Sequence, residues 1–424
     1  MGSRHGHALA AAMNRLYERG LTTISGGNIS CRDDHGVMWI TPGGVDKGTI
    51  TGDDIIAVHP DGSISGRHRP SLETAFHARL YEVRDDIKAV IHAHAPSLSS
   101  FCIARIPPDT ACFPQIFQEC GKAVMSGYKM PGSRDLAEAI AVQAAEGAHI
   151  ILLDNHGALA VGGSLQQALQ RFEAVDVCAA SLCYGTLTGL PGSVLPQNAR
   201  DLLFRQVPHA SDVREYKDLY PEKRAELISI CSRAYRRGLM TSSLGSCSLR
   251  TGADAFIITP QGHDRSALEP SQLAHVREGE PFGLASPDIW YAVHQAVYRA
   301  CPDVHALVLS SAPAVLAFAG TQTVHDTRTL TEGYMILGTI PQVPMQEALS
   351  DSGTLPSLIR KRSPAVLISH CGLLASGDTL LQALDRVEVA EAGMRAELWA
   401  RQLGNVTRLT GDELKAMDRS FHLR

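Results

Sequence analysis

The chain has 424 residues, of which 44% are hydrophobic and 20% are charged, a composition typical of a globular protein with a buried core. Its formal net charge of −5 argues against nucleic acid or an anionic membrane surface as a partner. No apolar run approaches the roughly 20 residues of a membrane span, and no signal-peptide core is visible, so we expect no membrane partner and a cytoplasmic location.

The first predicted elements alternate between helices and strands. Apolar residues recur at helical spacing over residues 6–19, and Gly20 ends this helix. The Gly/Ser loop SGGNIS (25–30) leads to a strand, and the segment MWITPGG (38–44) predicts a strand followed by a turn. A second helix is expected from about Ser71 to Val83.

The following segments complete one unit of α/β type. The apolar run AVIHAHA (89–95) is short and branched enough to be a strand. Residues 134–147 predict another helix, and IILLD (150–154) predicts a buried strand. A long helix over residues 164–183 closes the unit, which we therefore expect to be a sheet covered by helices.

The second half of the chain repeats the first. Residues 70–97 return as 287–313, and LLDNHGALAVGGSLQQAL (152–169) returns as LISHCGLLASGDTLLQAL (367–384). A repeat of this length predicts two domains, residues 1–190 and 216–424. The polar, proline-containing stretch at 191–215 is the predicted linker.

The two copies differ at residue types that bind metals. The first copy has Glu73, His92, His94 and His156 where the second has Trp290, Leu309, Ser311 and Cys371. The apolar framework around these positions survives, and core packing alone does not predict their joint loss. We therefore interpret residues 1–190 as a metal-binding catalytic domain and residues 216–424 as a degenerate domain without the ligands.

The histidine spacing suits a metal centre. His92 and His94 are separated by one residue, so on a strand both imidazoles project from the same face toward one tetrahedral or octahedral ion. His156 follows a second buried strand and adds a third imidazole. Histidines buried for packing are the alternative, and the second copy argues against it because it has lost all three.

Glu73 falls in the first turn of the helix predicted from Ser71, where its carboxylate could merely favour the helix dipole. Its replacement in the copy that lost the histidines assigns it instead to the same site, as a ligand or as a base. His77 lies four residues later and is retained as His294, so we interpret it as structural.

Two Gly-rich loops and a serine are the predicted substrate-binding elements. Tight turns of this kind present backbone N–H groups that hold anions. The candidate residues are Ser25, Gly27, Asn28, Thr41, Gly43, Gly44 and Ser71. The second copy alters these loops as well, with Ser246 opposite Asn28 and Gln261 opposite Gly43.

The motifs SGGNIS, ITPGG, PSLE, HAHAPS and DNHG, in this order over residues 8–190, resemble those of the class II aldolase/adducin family. The resemblance implies two tandem α/β/α domains, each with a central, mainly antiparallel sheet covered by helices. It also implies a divalent ion on His92, His94 and His156, with Glu73 as ligand and acid/base. Zinc is the first choice of ion, with manganese, cobalt or magnesium as alternatives.

The resemblance further implies a small-molecule substrate that is chelated through adjacent oxygens and reacts through an enediolate. Two departures widen the choice of reaction. Gly43 and Leu72 stand where the sugar-phosphate aldolases carry hydroxyls that help hold phosphate, although Ser25, Asn28, Ser71 and Arg69 could still hold an anion. Gln115 stands where these aldolases have a tyrosine proton donor, and we include it among the substrate-binding candidates.

We therefore expect a metal-dependent C–C lyase of aldolase type that acts on a sugar phosphate or a hydroxy-oxo acid. A decarboxylase of an oxo or hydroxy acid, or a 4-epimerase, is the alternative. A non-enzymatic, adducin-like scaffold has no reason to keep the four ligands together.

Single-domain members of the family assemble as tetramers with active sites at subunit interfaces. The fused pair of domains is accordingly expected to form a homodimer that imitates such a tetramer. In this hypothesis the second domain supplies walls to the first, and the alternative is a decayed copy that only stabilises the chain.

Overall fold

A computed structural model of the chain describes residues 4–187, 203–204, 208–210, 219–321, 323–350 and 353–421. The chain divides into two compact units. The first comprises Met1–Ala111 and Ile116–Ala180, and the second comprises Cys112–Gln115 and Ser181–Arg424. Most of the predicted linker, residues 191–215, lies outside the described residues. Within the described ranges, no helix is both long enough and apolar enough to cross a membrane.

The elements of residues 4–187 include each helix and strand predicted from the sequence, together with further helices and strands. In chain order they are α1 (Arg4–Glu18), β1 (Asn28–Arg32), β2 (Met38–Ile40), β3 (Ile56–Val58), β4 (Ile64–Ser65), α2 (Thr74–Val83), β5 (Ala89–Ala93), α3 (Pro96–Ala104), α4 (Pro114–Cys120), β6 (Ala123–Met125), α5 (Arg134–Ala145), β7 (Ile150–Leu152), β8 (Ala158–Gly162) and α6 (Leu165–Leu187).

The strands form one eight-stranded sheet with the order β4-β3-β2-β1-β5-β8-β7-β6. Its pairs are antiparallel except for the parallel pair β6 and β7. β5 lies in the middle of the sheet, where the register places His92 opposite Asn28 of β1 and opposite Leu159 of β8. The expected mainly antiparallel sheet is therefore confirmed.

Alternate residues of each strand face opposite sides of the sheet, and helices bury the apolar side chains. Val90 of β5 packs in a buried cluster with Phe76 and Leu80 of α2 and Ile140 of α5. His92 is two residues from Val90 and shares its face, so its ring meets the ring of Phe76 edge-on at 5.6 Å. Helix α1 packs against β1 and buries its apolar stripe.

The second unit repeats this architecture. Its elements are α7 (Pro221–Arg236), β9 (Ser246–Gly252), β10 (Ala255–Ile258), β11 (Ala274–Arg277), β12 (Glu280–Phe282), α8 (Tyr291–Ala300), β13 (Ala306–Ser310), α9 (Pro313–Ala319), α10 (Thr331–Leu337), β14 (Gln342–Val343), α11 (Met345–Ala348), α12 (Thr354–Leu358), β15 (Ala365–Ile368), β16 (Gly372–Gly377), α13 (Leu380–Leu403) and α14 (Gly411–Ser420).

The second sheet has the order β12-β11-β10-β9-β13-β16-β15-β14, which is the order of the first sheet strand for strand. Val308 of β13 belongs to a buried cluster with α7 and α13, whereas its neighbour Leu307 belongs to a different cluster with α8. Helices therefore pack on both faces of this sheet. Two tandem α/β/α units are thus confirmed.

Several predicted boundaries were wrong by a few residues, and two of them lie at the candidate site. Helix α2 begins at Thr74 rather than Ser71, because Pro70 forms an antiparallel bridge with Pro42 and the next residues turn before the helix starts. Glu73 is consequently the N-cap of α2 and not part of its first turn. Strand β5 ends at Ala93, so His94 lies just beyond it.

Candidate active site

Three imidazoles meet at the end of β5. His92 lies within the strand, His94 follows it, and His156 lies in the turn between β7 and β8. One ligand nitrogen from each ring lies within 4.8 Å of the others. The Nε2 atoms of His92 and His94 are 3.1 Å apart. This is the spacing expected of nitrogen atoms that share one ion.

Burial and hydrogen bonding prepare His92 as a ligand. Its Nδ1 lies 3.1 Å from the carbonyl oxygen of Ala158, which can only accept, so the network assigns the proton to Nδ1 and leaves a lone pair on Nε2. Burial, followed by the charges of His94 and His156, holds the pKa of His92 well below its usual range. Burial likewise lowers the pKa of His94. Both rings are therefore neutral near pH 7, as metal ligands must be.

Glu73 points its carboxylate at the three rings. Its Oε2 lies 3.4 Å from His92 Nε2, and its Oε1 lies 3.2 Å from His156 Nε2. Oε2 accepts a hydrogen bond from the Asn28 side-chain amide at 2.7 Å. Oε1 is buried and makes no hydrogen bond with any described residue. An unsatisfied buried carboxylate oxygen is costly, so this atom is available for an ion or for a proton of a substrate.

A buried chain of polar side chains fixes the direction of Asn28. Tyr81 and His77 both lie within hydrogen-bond distance of the Ser30 hydroxyl, at 2.7 and 2.6 Å. The Nε2 atom of His77 donates a hydrogen bond to Asn28 Oδ1 at 2.5 Å. The Asn28 amide must then face Glu73. Burial lowers the pKa of His77 to about 3, so this ring stays neutral and acts through its neighbours, in line with a structural role.

Glycine permits the close approach of the two histidine-bearing segments. A Cβ atom on Gly157 would lie 2.5 Å from Cδ2 of His94 and 2.8 Å from the Ala93 carbonyl oxygen. Gly27 has a φ of +70°, and a Cβ there would lie 2.6 Å from the carbonyl oxygen of His92. The flanking glycines of the SGGN and DNHG motifs therefore let the loops pack directly on the imidazoles.

These residues fit a divalent ion. Three imidazoles converge with an unsatisfied carboxylate oxygen, which is the donor set of zinc and related metals. Of the described residues, this is the group of histidine, cysteine and carboxylate side chains whose geometry could hold a metal. The hydrogen bond from His92 to Ala158 supplies the outer support that such ligands usually have.

A cavity of about 450 Å³ opens beside the histidines. Glu73, His94 and His156 contribute to its wall. Most of the residues that the sequence proposed for substrate binding also line it, namely Ser25, Gly27, Asn28, Gly43, Gly44 and Ser71. The Ser71 hydroxyl accepts hydrogen bonds from the Asn28 amide at 3.0 Å and the Glu73 N–H at 3.3 Å, so its own proton remains available to a ligand.

Two proposed substrate-binding residues lie elsewhere. Thr41 is fully buried, and its hydroxyl accepts the Ile29 N–H at 3.0 Å, because the residue lies at the end of β2 against β1. Gln115 belongs to the second unit. There it accepts a hydrogen bond from the Trp290 indole at 3.3 Å and donates to the Ser243 carbonyl at 3.4 Å. Neither residue lines the cavity.

Part of the cavity wall was not predicted from the sequence. Lys47, Pro131 and Gly132 line it, together with Leu72, which the sequence indicated only as a departure from the family pattern. Arg69, which the sequence indicated as a possible anion-binding residue, also lines it. Lys47 could have been found by comparing the copies, because TPGGVDKG in the first corresponds to TPQGHDRS in the second and both keep a cation. Pro131 and Gly132 carry no such mark in the sequence.

The second unit keeps the equivalent buried histidine and its serine partners, but a tryptophan occupies the position of Glu73. His294 is buried and hydrogen-bonds Ser248 at 2.6 Å and Ser246 at 2.9 Å, as His77 bonds Ser30 and Asn28. Trp290 is fully buried and is the N-cap of α8, as Glu73 is of α2. The polar chain thus ends on the hydroxyl of Ser246, and Trp290 stands where the first unit has Glu73.

Comparisons with known proteins find relatives of this chain. The chain is 30% identical over 165 residues to 3-oxo-tetronate 4-phosphate decarboxylase of Haemophilus influenzae, a match that covers 38% of this chain and 78% of that protein. It is 31% identical over 164 residues to L-fuculose phosphate aldolase of Methanococcus maripaludis, covering 38% and 86%. A solved structure of L-fuculose 1-phosphate aldolase is 34% identical, covers 48% of this chain and 95% of its own, and superimposes with a TM-score of 0.44.

The model of the class II aldolase and adducin N-terminal domain matches residues 7–183 and again residues 225–398. These two segments account for most of the chain and follow its two compact units closely. The chain therefore belongs to the class II aldolase and adducin family, of which it contains two tandem domains.

Proposed function

We propose that the chain is a divalent-metal-dependent lyase of aldolase type that breaks or makes a C–C bond in a small oxo or hydroxy compound. The observation that carries the proposal is the unsatisfied Oε1 of Glu73 beside three converging imidazoles at the wall of a cavity. Relatives named as sugar-phosphate aldolases support a sugar phosphate as substrate, and a hydroxy-oxo acid fits the same site.

His92, His94 and His156 would hold the ion, for which zinc is our first choice. Once bound, it would supply Lewis-acid stabilisation of negative charge on adjacent substrate oxygens. His92 stays neutral because it is buried, and its bond to Ala158 fixes the direction of Nε2. The burial of His92 would also keep water from that side of the site.

Glu73 would transfer the proton. Asn28 holds Oε2 at 2.7 Å, which leaves Oε1 without a hydrogen-bond partner among the described residues. In an aldol cleavage this oxygen would accept the hydroxyl proton next to the bond that breaks, and it would then return a proton to the enediolate carbon. A carboxylate held in one orientation serves both steps without reorganisation.

Decarboxylation of an oxo or hydroxy acid is the second candidate, and the position of Gln115 favours it. Gln115 stands at the family tyrosine position. It belongs to the second unit and does not line the cavity of the first. Loss of CO₂ would produce the same enediolate and needs no proton transfer at the fragment that leaves. A relative named as a decarboxylase supports this candidate. Epimerisation at a hydroxyl-bearing carbon would use the same groups.

We also propose a division of labour between the domains. Residues 1–190 would carry the chemistry, and residues 216–424 would be a pseudoenzyme domain, since Trp290, Leu309, Ser311 and Cys371 replace the ligands. Two chains would associate as a homodimer, which a molecular mass in solution tests.

A product-resolved screen tests the reaction. Zinc-loaded protein is incubated with small hydroxy-oxo acids and ketose phosphates, and the release of CO₂ and of aldehyde is measured separately. Aldehyde release identifies the lyase of aldolase type, and CO₂ release identifies the decarboxylase. Glu73→Gln should keep the metal and lower kcat by about 100-fold or more, the range for loss of a general acid/base. Unchanged turnover in this variant would contradict the proposed role of Glu73.

A further inference from the structure

Lys47 is a buried cation in the wall of the cavity. Its side chain is 1% exposed, and its Nζ donates to the Pro42 carbonyl oxygen at 2.5 Å. Among the described residues, no carboxylate forms an ion pair with this ammonium group. Burial lowers the pKa of Lys47. Because an unpaired buried charge is costly, this position favours the binding of a counter-ion from the cavity.

The second unit has the same arrangement around Arg265. Its Nη1 donates to the Pro260 carbonyl oxygen at 2.5 Å, as Lys47 donates to Pro42. The two prolines are structurally equivalent, since each forms an antiparallel bridge to the proline that begins the next turn. Arg265 is therefore the counterpart of Lys47 in space as well as in sequence.

The second unit neutralises its cation with Asp288. Oδ2 of Asp288 lies 2.6 Å from Arg265 Nη2, and both side chains are buried. Oδ1 accepts the N–H of Trp290 at 3.1 Å, just as the Ser71 hydroxyl accepts the N–H of Glu73. Asp288 thus replaces Ser71, and its Oδ2 has no counterpart in the first unit. The first unit keeps the cation and lacks the carboxylate.

We propose that Lys47 binds an oxyanion of the substrate, a carboxylate or a phosphate, in the place that the Asp288 carboxylate takes in the second unit. The inference deepens the proposed function and rests on it for the identity of the cavity as a substrate site. Ser71 contributes a hydroxyl donor, and Arg69, exposed in the same wall, adds a second cation. A substrate without an anionic group would leave Lys47 unpaired, so this residue selects for charge.

Calorimetric titration of the whole zinc-loaded chain with an anion tests the inference. Methyl phosphate is the ligand in one arm and propionate in the other, which distinguishes a phosphate from a carboxylate subsite. The wild type is expected to bind at least one of them. Lys47→Met, which removes the cation, and Ser71→Asp, which supplies an internal carboxylate, should each weaken this binding by about tenfold to 100-fold.

Lys122→Met is the matched control, because Lys122 is exposed and does not line the cavity. It should leave the anion affinity unchanged. The melting temperature of each variant identifies a folding defect, and Ser71→Asp keeps the test decisive if Lys47→Met fails to fold. A wild type that holds its metal and binds neither anion overturns the inference, as does an affinity that neither cavity variant changes. Failure to bind metal overturns the proposed function instead.

Discussion

Asn28 connects the buried polar residues of the first unit to the carboxylate of Glu73. Its carbonyl oxygen accepts from His77, and its amide donates to Glu73 at 2.7 Å and to Ser71 at 3.0 Å. The chain from Tyr81 through Ser30 and His77 therefore determines where the carboxylate points. The second unit keeps the equivalent buried polar residues as far as its histidine, which contacts Ser246. The side-chain amide of Asn28 is therefore the first group in this series that differs between the two units.

Replacing this amide by the hydroxyl of the second unit tests that role. Asn28→Ser should fold, because Ser246 already accommodates the equivalent histidine at 2.9 Å. It removes the donor to Glu73, and we expect metal affinity or kcat to fall by about 10- to 100-fold, as for other outer supports of metal ligands. Titration with a chromophoric zinc chelator and steady-state kinetics measure the two quantities.

The matched control is Ser246→Ala in the second unit, which should change neither quantity. A wild-type zinc affinity and a wild-type kcat in Asn28→Ser would show that Glu73 does not depend on this hydrogen bond.

At the scale of elements, the site depends on the end of β5 meeting the turn between β7 and β8. Gly157 is the point of closest approach, since a Cβ there would lie 2.5 Å from the His94 ring and 2.8 Å from a backbone oxygen. A backbone oxygen cannot move away cheaply. The distance between His94 and His156 therefore depends on the absence of a side chain at position 157.

Gly157→Ala should consequently separate the two histidines. We expect a loss of about 1–3 kcal/mol in the free energy of unfolding, the usual cost of overpacking, together with weaker zinc binding. Chemical denaturation measures the first and zinc titration the second. Gly185→Ala in α6 is the control, because a Cβ there meets no atom within 4 Å, and the change should be neutral or slightly stabilising. Equal behaviour of the two variants would contradict the close-packing argument.

Periodicity and turn chemistry predicted the elements well and their ends less well. The branched run at 89–93 and the apolar run at 150–152 were predictable as strands because both are short and fully buried. The start of α2 was not, because the bridge between Pro42 and Pro70 is a contact between distant parts of the chain. That bridge delays the helix and makes Glu73 its N-cap.

The candidate site shows the same limit. The three histidines and Glu73 could be grouped because the second copy replaces them together, and the structure brings them within a few ångströms of one another. Thr41 and Gln115 do not line the cavity, and motif position alone could not predict this because it does not say which way a side chain faces. Lys47 was missed for the converse reason, since its burial beside the cavity follows from the turn around Pro42.

For the whole molecule, the two units share one sheet order and one pattern of buried polar residues, and they differ in their reactive groups. The second unit fills the corresponding places with a buried tryptophan and an internal ion pair. This difference supports a chain with one active and one inactive domain, and it makes the metal stoichiometry the quantity that separates this account from two equivalent sites.

The most direct measurement is the number of tightly bound divalent ions per chain, determined by elemental analysis after dialysis against zinc. We predict about one ion per chain for the wild type, about one for Cys371→Ala, and none for His92→Ala, because Cys371 is the second unit's counterpart of His156 and lies outside the proposed centre. Two ions per chain, no ion at all, or full retention by His92→Ala would contradict the account.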